Sequence, residues 1–216
     1  MARLAQAAAI LALVAMVGGF WWFSTGQALD DRFAQCRQDR LSRTLAQVEP
    51  PFSLISQDGR EMASEEILSR PSLLYFGYTT CPEYCPLDAA RNARAAELLD
   101  ERGYRVRPVF VSIDPADDGL DRIARFTREA GPTMLGLTGS QEQVNAAAQA
   151  FNVFHALRRP TAGGPRMAHS GFTYLTLPDL GVVEIFPGAP RPDGDGLDAA
   201  RLAERAACFL RAADLG

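Results

Sequence analysis

The sequence contains no lysine; all 22 basic residues are arginine, and against 26 acids they leave a net charge of −4. Nucleic-acid binding rests on neutralising many phosphates, so this balance excludes nucleic acid as a partner. Histidine is nearly absent, with only His155 and His169. Cysteine is scarce too, with Cys36, Cys81, Cys85 and Cys208. A tetrahedral structural zinc site would need a second close Cys or His pair, and the chain has none. Internal repeats and low-complexity tracts are missing as well.

Charge is also missing from residues 4–23, LAQAAAILALVAMVGGFWWF. As a helix rising about 1.5 Å per residue, such a run spans roughly 30 Å, the hydrocarbon core of a bilayer. Trp21 and Trp22 would lie at its outer end, with Arg3 before it and Asp30-Asp31 after it. The positive-inside rule then keeps Arg3 in the cytoplasm. The expectation is a single-pass anchor in the inner (cytoplasmic) membrane with the soluble domain on the periplasmic side. A cleaved signal peptide, ending near Gly26-Gln27-Ala28, leads to the same oxidising compartment. Residues 1–28 are read as anchor or signal peptide, 29–49 as a polar linker or short helix, and 50–216 as the domain.

Within the domain, Phe52-Ser-Leu-Ile-Ser alternates and Asp58-Gly59 signals a turn, predicting a hairpin. Residues 73–78, LLYFGY, form a continuous apolar run of the kind that fills a buried central strand. A helix is predicted over 86–102, a strand over 105–113, helices over 118–130 and 140–150, and a strand over 134–137 between those two. Strands over 172–177 and 182–186 flank a turn at Asp179-Leu180-Gly181, and a last helix covers 197–210. This order predicts one α/β sheet covered on both faces.

The cysteines of YFGYTTCPEYCPLD, residues 75–88, fall where the first central strand turns into its helix. Ligands collect at such strand ends. With Cys81 near the helix N-terminus, Cys85 follows one turn later, about 5–6 Å away between Cβ atoms. That spacing admits a shared metal ion, a redox couple or a structural disulfide. A thioredoxin-type redox motif has two residues between its cysteines, and here there are three. His169, just before the strand 171–177, is placed to face the cysteines across the sheet end. His155 reads as a surface or satisfied interior residue. Two thiolates suit Cu(I), an added imidazole lets the site hold Cu(II), and zinc with a bound water fits the same ligand types. Glu83, Asp88, Asp114, Asp117 and Asp118 are acids near the motif, able to concentrate cations or simply solvated.

YFGYTTCPEYCP, PVFVSIDP, MLGLTGS and HSGFTYLTLPDLGVVEIF, in this order over roughly residues 50–212, resemble the Sco/SenC family. The resemblance implies a membrane-tethered, thioredoxin-like copper protein, with an N-terminal β-hairpin added to the central sheet and its flanking helices. It implies copper held by Cys81, Cys85 and His169, and a role in assembling the copper centre of cytochrome c oxidase. Ala168 stands where the family often has an aspartate, and Ala116-Asp117-Asp118-Gly119-Leu120 departs from the family's loop.

Cys36 and Cys208 are left over. In an oxidising compartment a disulfide between them is expected, the alternative being two buried, unpaired thiols. The function expected is a metallochaperone rather than an enzyme. It would take Cu(I) or Cu(II) from a copper donor protein and pass it to the oxidase subunit carrying the CuA site. The alternatives are a thiol–disulfide oxidoreductase using Cys81 and Cys85 on the target's cysteines, or a redox sensor.

Overall fold

The computed structural model of the chain describes residues 6, 14–19, 32–37, 51–82, 84–157, 167–169, 171–191 and 196–215, with 155–157 and 167–169 described by backbone alone. It divides into two units, Met1–Gln35 and Cys36–Gly216. In the first, residue 6 and residues 14–19 are helical and exposed. The expected inner-membrane location is corrected here. Among the described residues no helix is long and apolar enough to cross a membrane. The remainder of the uncharged run, and most of the expected linker 29–49, lie outside the described residues.

In the second unit, alternation at Ser53–Ser56 makes strand β1, paired antiparallel with β2 (Glu61–Ala63). Gly59 turns between them with φ 81°, a left-handed conformation that suits glycine. A four-residue helix the sequence did not announce, α1 (Ser64–Ile67), leads to β3 (Ser72–Gly77), buried at every position. Then come α2 (Tyr84–Asp100), β4 (Arg107–Ser112), α3 (Leu120–Ala130), β5 (Leu135–Thr138) and α4 (Gln141–Ala150). Ser140 and Gln143 form a capping box at the start of α4. After the short β6 (His155–Leu157) and β7 (Met167–His169) come β8 (Thr173–Leu177), β9 (Gly181–Phe186) and α5 (Ala199–Ala212).

Seven strands form one mixed sheet in the order β2-β1-β5-β4-β3-β8-β9, with β3, β4 and β5 parallel and the other neighbours antiparallel. Adjacent residues of β3 serve opposite faces. Phe76 packs in one aromatic cluster with Phe151 (5.4 Å between centroids) and Tyr174 (6.1 Å). Tyr75 lies beside Phe110, which packs on Phe126 of α3 at 4.5 Å. The one departure that bears on the site is that β6 and β7 form a separate two-stranded ribbon. His169 therefore closes β7, rather than opening the strand that follows.

Cys36 and Cys208 are joined by a disulfide with Cα atoms 5.6 Å apart, fastening the segment before the domain to α5. The bond spans 172 positions. Closing so long a loop in the unfolded chain sets a ceiling of roughly 5 kcal/mol on its contribution. Replacing both cysteines with serine is expected to lower the urea midpoint by an amount equivalent to about 2–5 kcal/mol. An unchanged midpoint would mean the bond only decorates a fold that holds without it.

Candidate metal centre

After Gly77 the chain leaves the sheet, turns through residues 78–82 and enters α2 at Tyr84. The Cys81 N–H donates to the Tyr78 carbonyl at 3.3 Å, closing the turn. Cys81 thus precedes the helix by three residues. Cys85 is the second helical residue, and its N–H donates to Cys81 Sγ at 3.4 Å. Amides in a first helical turn have no intrahelical acceptor, so the Cys81 sulfur caps the helix. The motif spacing has this physical use: it returns the first sulfur over the helix end where the second is mounted.

Neither thiol is in a disulfide and both are buried, Cys81 at 5% exposure and Cys85 at 0%. Their side chains share a hydrogen bond. That bond first, then burial, then the charge of Cys81 raise the Cys85 thiol far above its ordinary range. A backbone bond from Tyr78 and the Tyr75 hydroxyl pull the other way. Tyr75 is itself held well above the usual phenol range, by burial first and then by the charges of Cys85 and Asp88. A pair in this state resists holding two negative charges. A soft cation, or a disulfide, removes both protons without leaving that charge buried.

Two of the acids near the motif are not solvated. Asp118 is buried and accepts from the Thr79 N–H at 3.0 Å, the Thr79 hydroxyl and the Ser112 hydroxyl at 2.6 Å. It fastens the loop leading to Cys81 onto the end of β4. Asp88, one turn beyond Cys85, accepts from the Ala189 N–H and from Arg191 at 3.3 Å, and it pairs with Arg91. Arg191 also stacks 4.1 Å over the ring of Tyr84. The expectation of a cation-gathering acidic rim therefore fails for Asp88 and Asp118, whose lone pairs are taken. Asp117 is exposed, Asp114 is half-buried, and Glu83 lies outside the described residues.

Arg91 and Asn92 escaped sequence reasoning because nothing in their spacing marks them as more than helix surface. Arg91 donates to the carbonyls of Pro187 (2.9 Å) and Leu197 (3.1 Å) and to the Thr173 hydroxyl (3.0 Å). Asn92 donates to the same hydroxyl at 2.9 Å. The helix bearing Cys85 thus grips β8 at the strand's first residue, four positions after His169. His169 itself is placed by its backbone, opposite His155 in the β6–β7 ribbon. Its imidazole is outside the described atoms. Among the described residues no group of three or more His, Cys, Asp or Glu side chains gathers as a metal site. A cleft of about 510 Å³ lies at the other end of the sheet, near Arg70, Arg107 and Pro108. Two of the cations there are paired, Arg94 with Glu97 and Arg105 with Asp100.

The SCO1/SenC family profile matches residues 41–198. Protein SenC of Rhodobacter capsulatus is 38% identical over 210 residues, covering 97% of this chain and 91% of SenC. The crystal structure of Arabidopsis thaliana ScoI with copper bound superposes with a TM-score of 0.67 at 28% identity, over 76% of this chain and 99% of that one. A structure of BsSco, described through a disulfide switch and as a member of the Sco family of cytochrome c oxidase assembly proteins, matches at 26% identity and a TM-score of 0.53. It covers 66% of this chain and 84% of its own. The mixed sheet with flanking helices is accordingly a thioredoxin-like α/β fold. By profile and by identity, the chain belongs to the SCO1/SenC family.

Proposed function

We propose that the chain binds copper through Cys81, Cys85 and His169 and delivers it to the CuA-bearing subunit of cytochrome c oxidase, after receiving it from a donor protein. One observation carries this reading: two buried thiols, neither in a disulfide, at the junction of β3 and α2, with the sulfur of the first accepting the amide of the second. The donor set fits the metal. Two thiolates are soft ligands that satisfy Cu(I) at low coordination number, and an imidazole extends the set to Cu(II). Copper bound in the Arabidopsis neighbour and the oxidase-assembly role named for the BsSco family support it. Delivery then proceeds by ligand exchange, each thiolate of the acceptor replacing one of the donor's.

The disulfide switch named for BsSco favours one second reading, a dithiol reductase. There the Cys81 thiolate attacks a disulfide of the target, and Cys85 displaces the mixed disulfide. Two electrons and two protons pass to the target as Cys81–Cys85 closes.

The test uses the full-length protein, reduced and then offered Cu(I) or Cu(II). Wild type is expected to retain copper through desalting, and the Cys81→Ser/Cys85→Ser protein to retain none. His169→Ala is expected to lose Cu(II) and its thiolate-to-copper absorption while keeping Cu(I). If His169→Ala leaves dithiol exchange and oxidase assembly near normal while the cysteine changes abolish both, the reductase reading replaces the copper site.

A further inference from the structure

Tyr75 opens the same short stretch that carries the two cysteines, and its ring meets one of them. It stands two residues before Gly77 on β3, so both positions serve one face of the sheet. A Cβ at Gly77 would stand 2.7 Å from the Tyr75 ring and 3.1 Å from Cys85 Sγ. The tyrosine ring and the sulfur therefore approach each other over the bare backbone of Gly77. Phe110 bounds the same gap and lies beside Tyr75 at 6.3 Å between ring centroids. Tyr75 and Cys85 are both buried, so a hydroxyl there finds its partner within the protein.

That partner is the Cys85 side chain, which shares a hydrogen bond with the Tyr75 hydroxyl. Asp88, one turn along α2, also faces the hydroxyl. Its carboxylate is already engaged by the Ala189 N–H, Arg191 and Arg91. The two sulfurs are thus held differently. Cys81 Sγ accepts the Cys85 N–H at 3.4 Å. Cys85 Sγ meets a backbone group of Tyr78 and, across Gly77, a phenol.

We propose that Tyr75 is a positioning residue of the copper centre, donating its hydroxyl hydrogen bond to the Cys85 thiolate and so favouring Cu(I) over Cu(II). This rests on the copper reading given above. A hydrogen bond to a coordinated thiolate draws charge from the sulfur and makes it a weaker donor. Cu(II) depends on that charge more than Cu(I) does. The hydroxyl therefore weakens Cu(II) binding selectively, and the missing side chain at Gly77 is what lets it reach the sulfur.

The experiment loads the full-length chain, in its dithiol form, with Cu(II) chloride or with Cu(I), and reads the thiolate-to-copper absorption and both affinities. Tyr75→Phe keeps the ring beside Phe110 and removes the hydroxyl alone. It is expected to move the absorption to lower energy and to raise the ratio of Cu(II) to Cu(I) affinity about tenfold. That ratio corresponds to a fall of about 59 mV in the copper potential. A ring that only fills space would move neither. A second readout needs no copper. With Cys36 and Cys208 joined, the S–H stretching band in the Raman spectrum comes from Cys81 and Cys85 alone, and Tyr75→Phe is expected to shift its Cys85 component. An S–H band identical in the two proteins overturns the contact itself. An unchanged absorption and affinity ratio, with the wild-type absorption intact, overturns the role of Tyr75 and leaves the copper site standing. Copper bound by wild type without thiolate absorption overturns the copper site and the role of Tyr75 together.

Discussion

Arg91→Met is expected to lower the free energy of unfolding by about 3–5 kcal/mol. Arg91 is 6% exposed, and burial lowers its pKa while the Asp88 charge raises it. It remains a cation because the site is built around one. One of its nitrogens serves the Pro187 and Leu197 carbonyls, and the other serves the Thr173 hydroxyl and faces Asp88 at 3.6 Å. Methionine fills a similar volume but leaves one buried and one part-buried carbonyl without that donor and strips a cation from a buried carboxylate. Arg191 stays on Asp88, which keeps the loss from being larger. Arg91→Lys should recover little, since an ammonium cannot reproduce the fork. The same variant should weaken Cu(II) more than Cu(I), because the strand released at Thr173 is the one leading from His169. A urea midpoint within 1 kcal/mol of wild type would show that the buried fork is not what joins α2 to β8 and β9.

Order along the chain was legible where each element announces itself locally. The continuous apolar run at β3 and the Asp58-Gly59 turn each need only a few neighbouring residues to be read. The cysteine pair was legible for the same reason, since a strand end, two cysteines and two prolines lie within a short stretch. The β6–β7 ribbon was not. Its strands are three residues long, too short for alternation to register, and their pairing depends on residues ten or more positions away. His155 consequently read as an isolated histidine. Asp88 and Asp118 were read as surface charges because carboxylates are rarely fully buried unless paired. Each also has a distant partner: Ala189 is 101 positions from Asp88, and Thr79 is 39 from Asp118. No local pattern encodes a bond of that range.

Gly77→Ala is expected to cost stability modestly and copper affinity heavily. Gly77 does not use the left-handed backbone region, so the argument is one of space. A Cβ there would stand 2.7 Å from the Tyr75 ring, 3.0 Å from the Phe110 ring and 3.1 Å from Cys85 Sγ. Heavy atoms in good contact sit about 3.5–4.0 Å apart, so something must move. Both rings are buried in adjacent strands of the sheet, in direct register with each other. The sulfur, mounted in the first turn of α2, is the neighbour with the most freedom to yield. Overpacking of this kind costs about 1–3 kcal/mol. A displaced sulfur should lower Cu(I) affinity by about 10–100-fold, the range seen when groups that orient metal ligands are lost. Gly136→Ala supplies the control. Its Cβ would meet Ile123 at 2.5 Å and Thr127 at 2.8 Å, over α3 and away from both cysteines. It should lose comparable stability and keep its copper. Competition titration against a Cu(I) chelator separates the two cases. Equal affinities in Gly77→Ala and wild type would mean that Cys85 is set by the helix alone, with no part played by the gap that glycine leaves in β3.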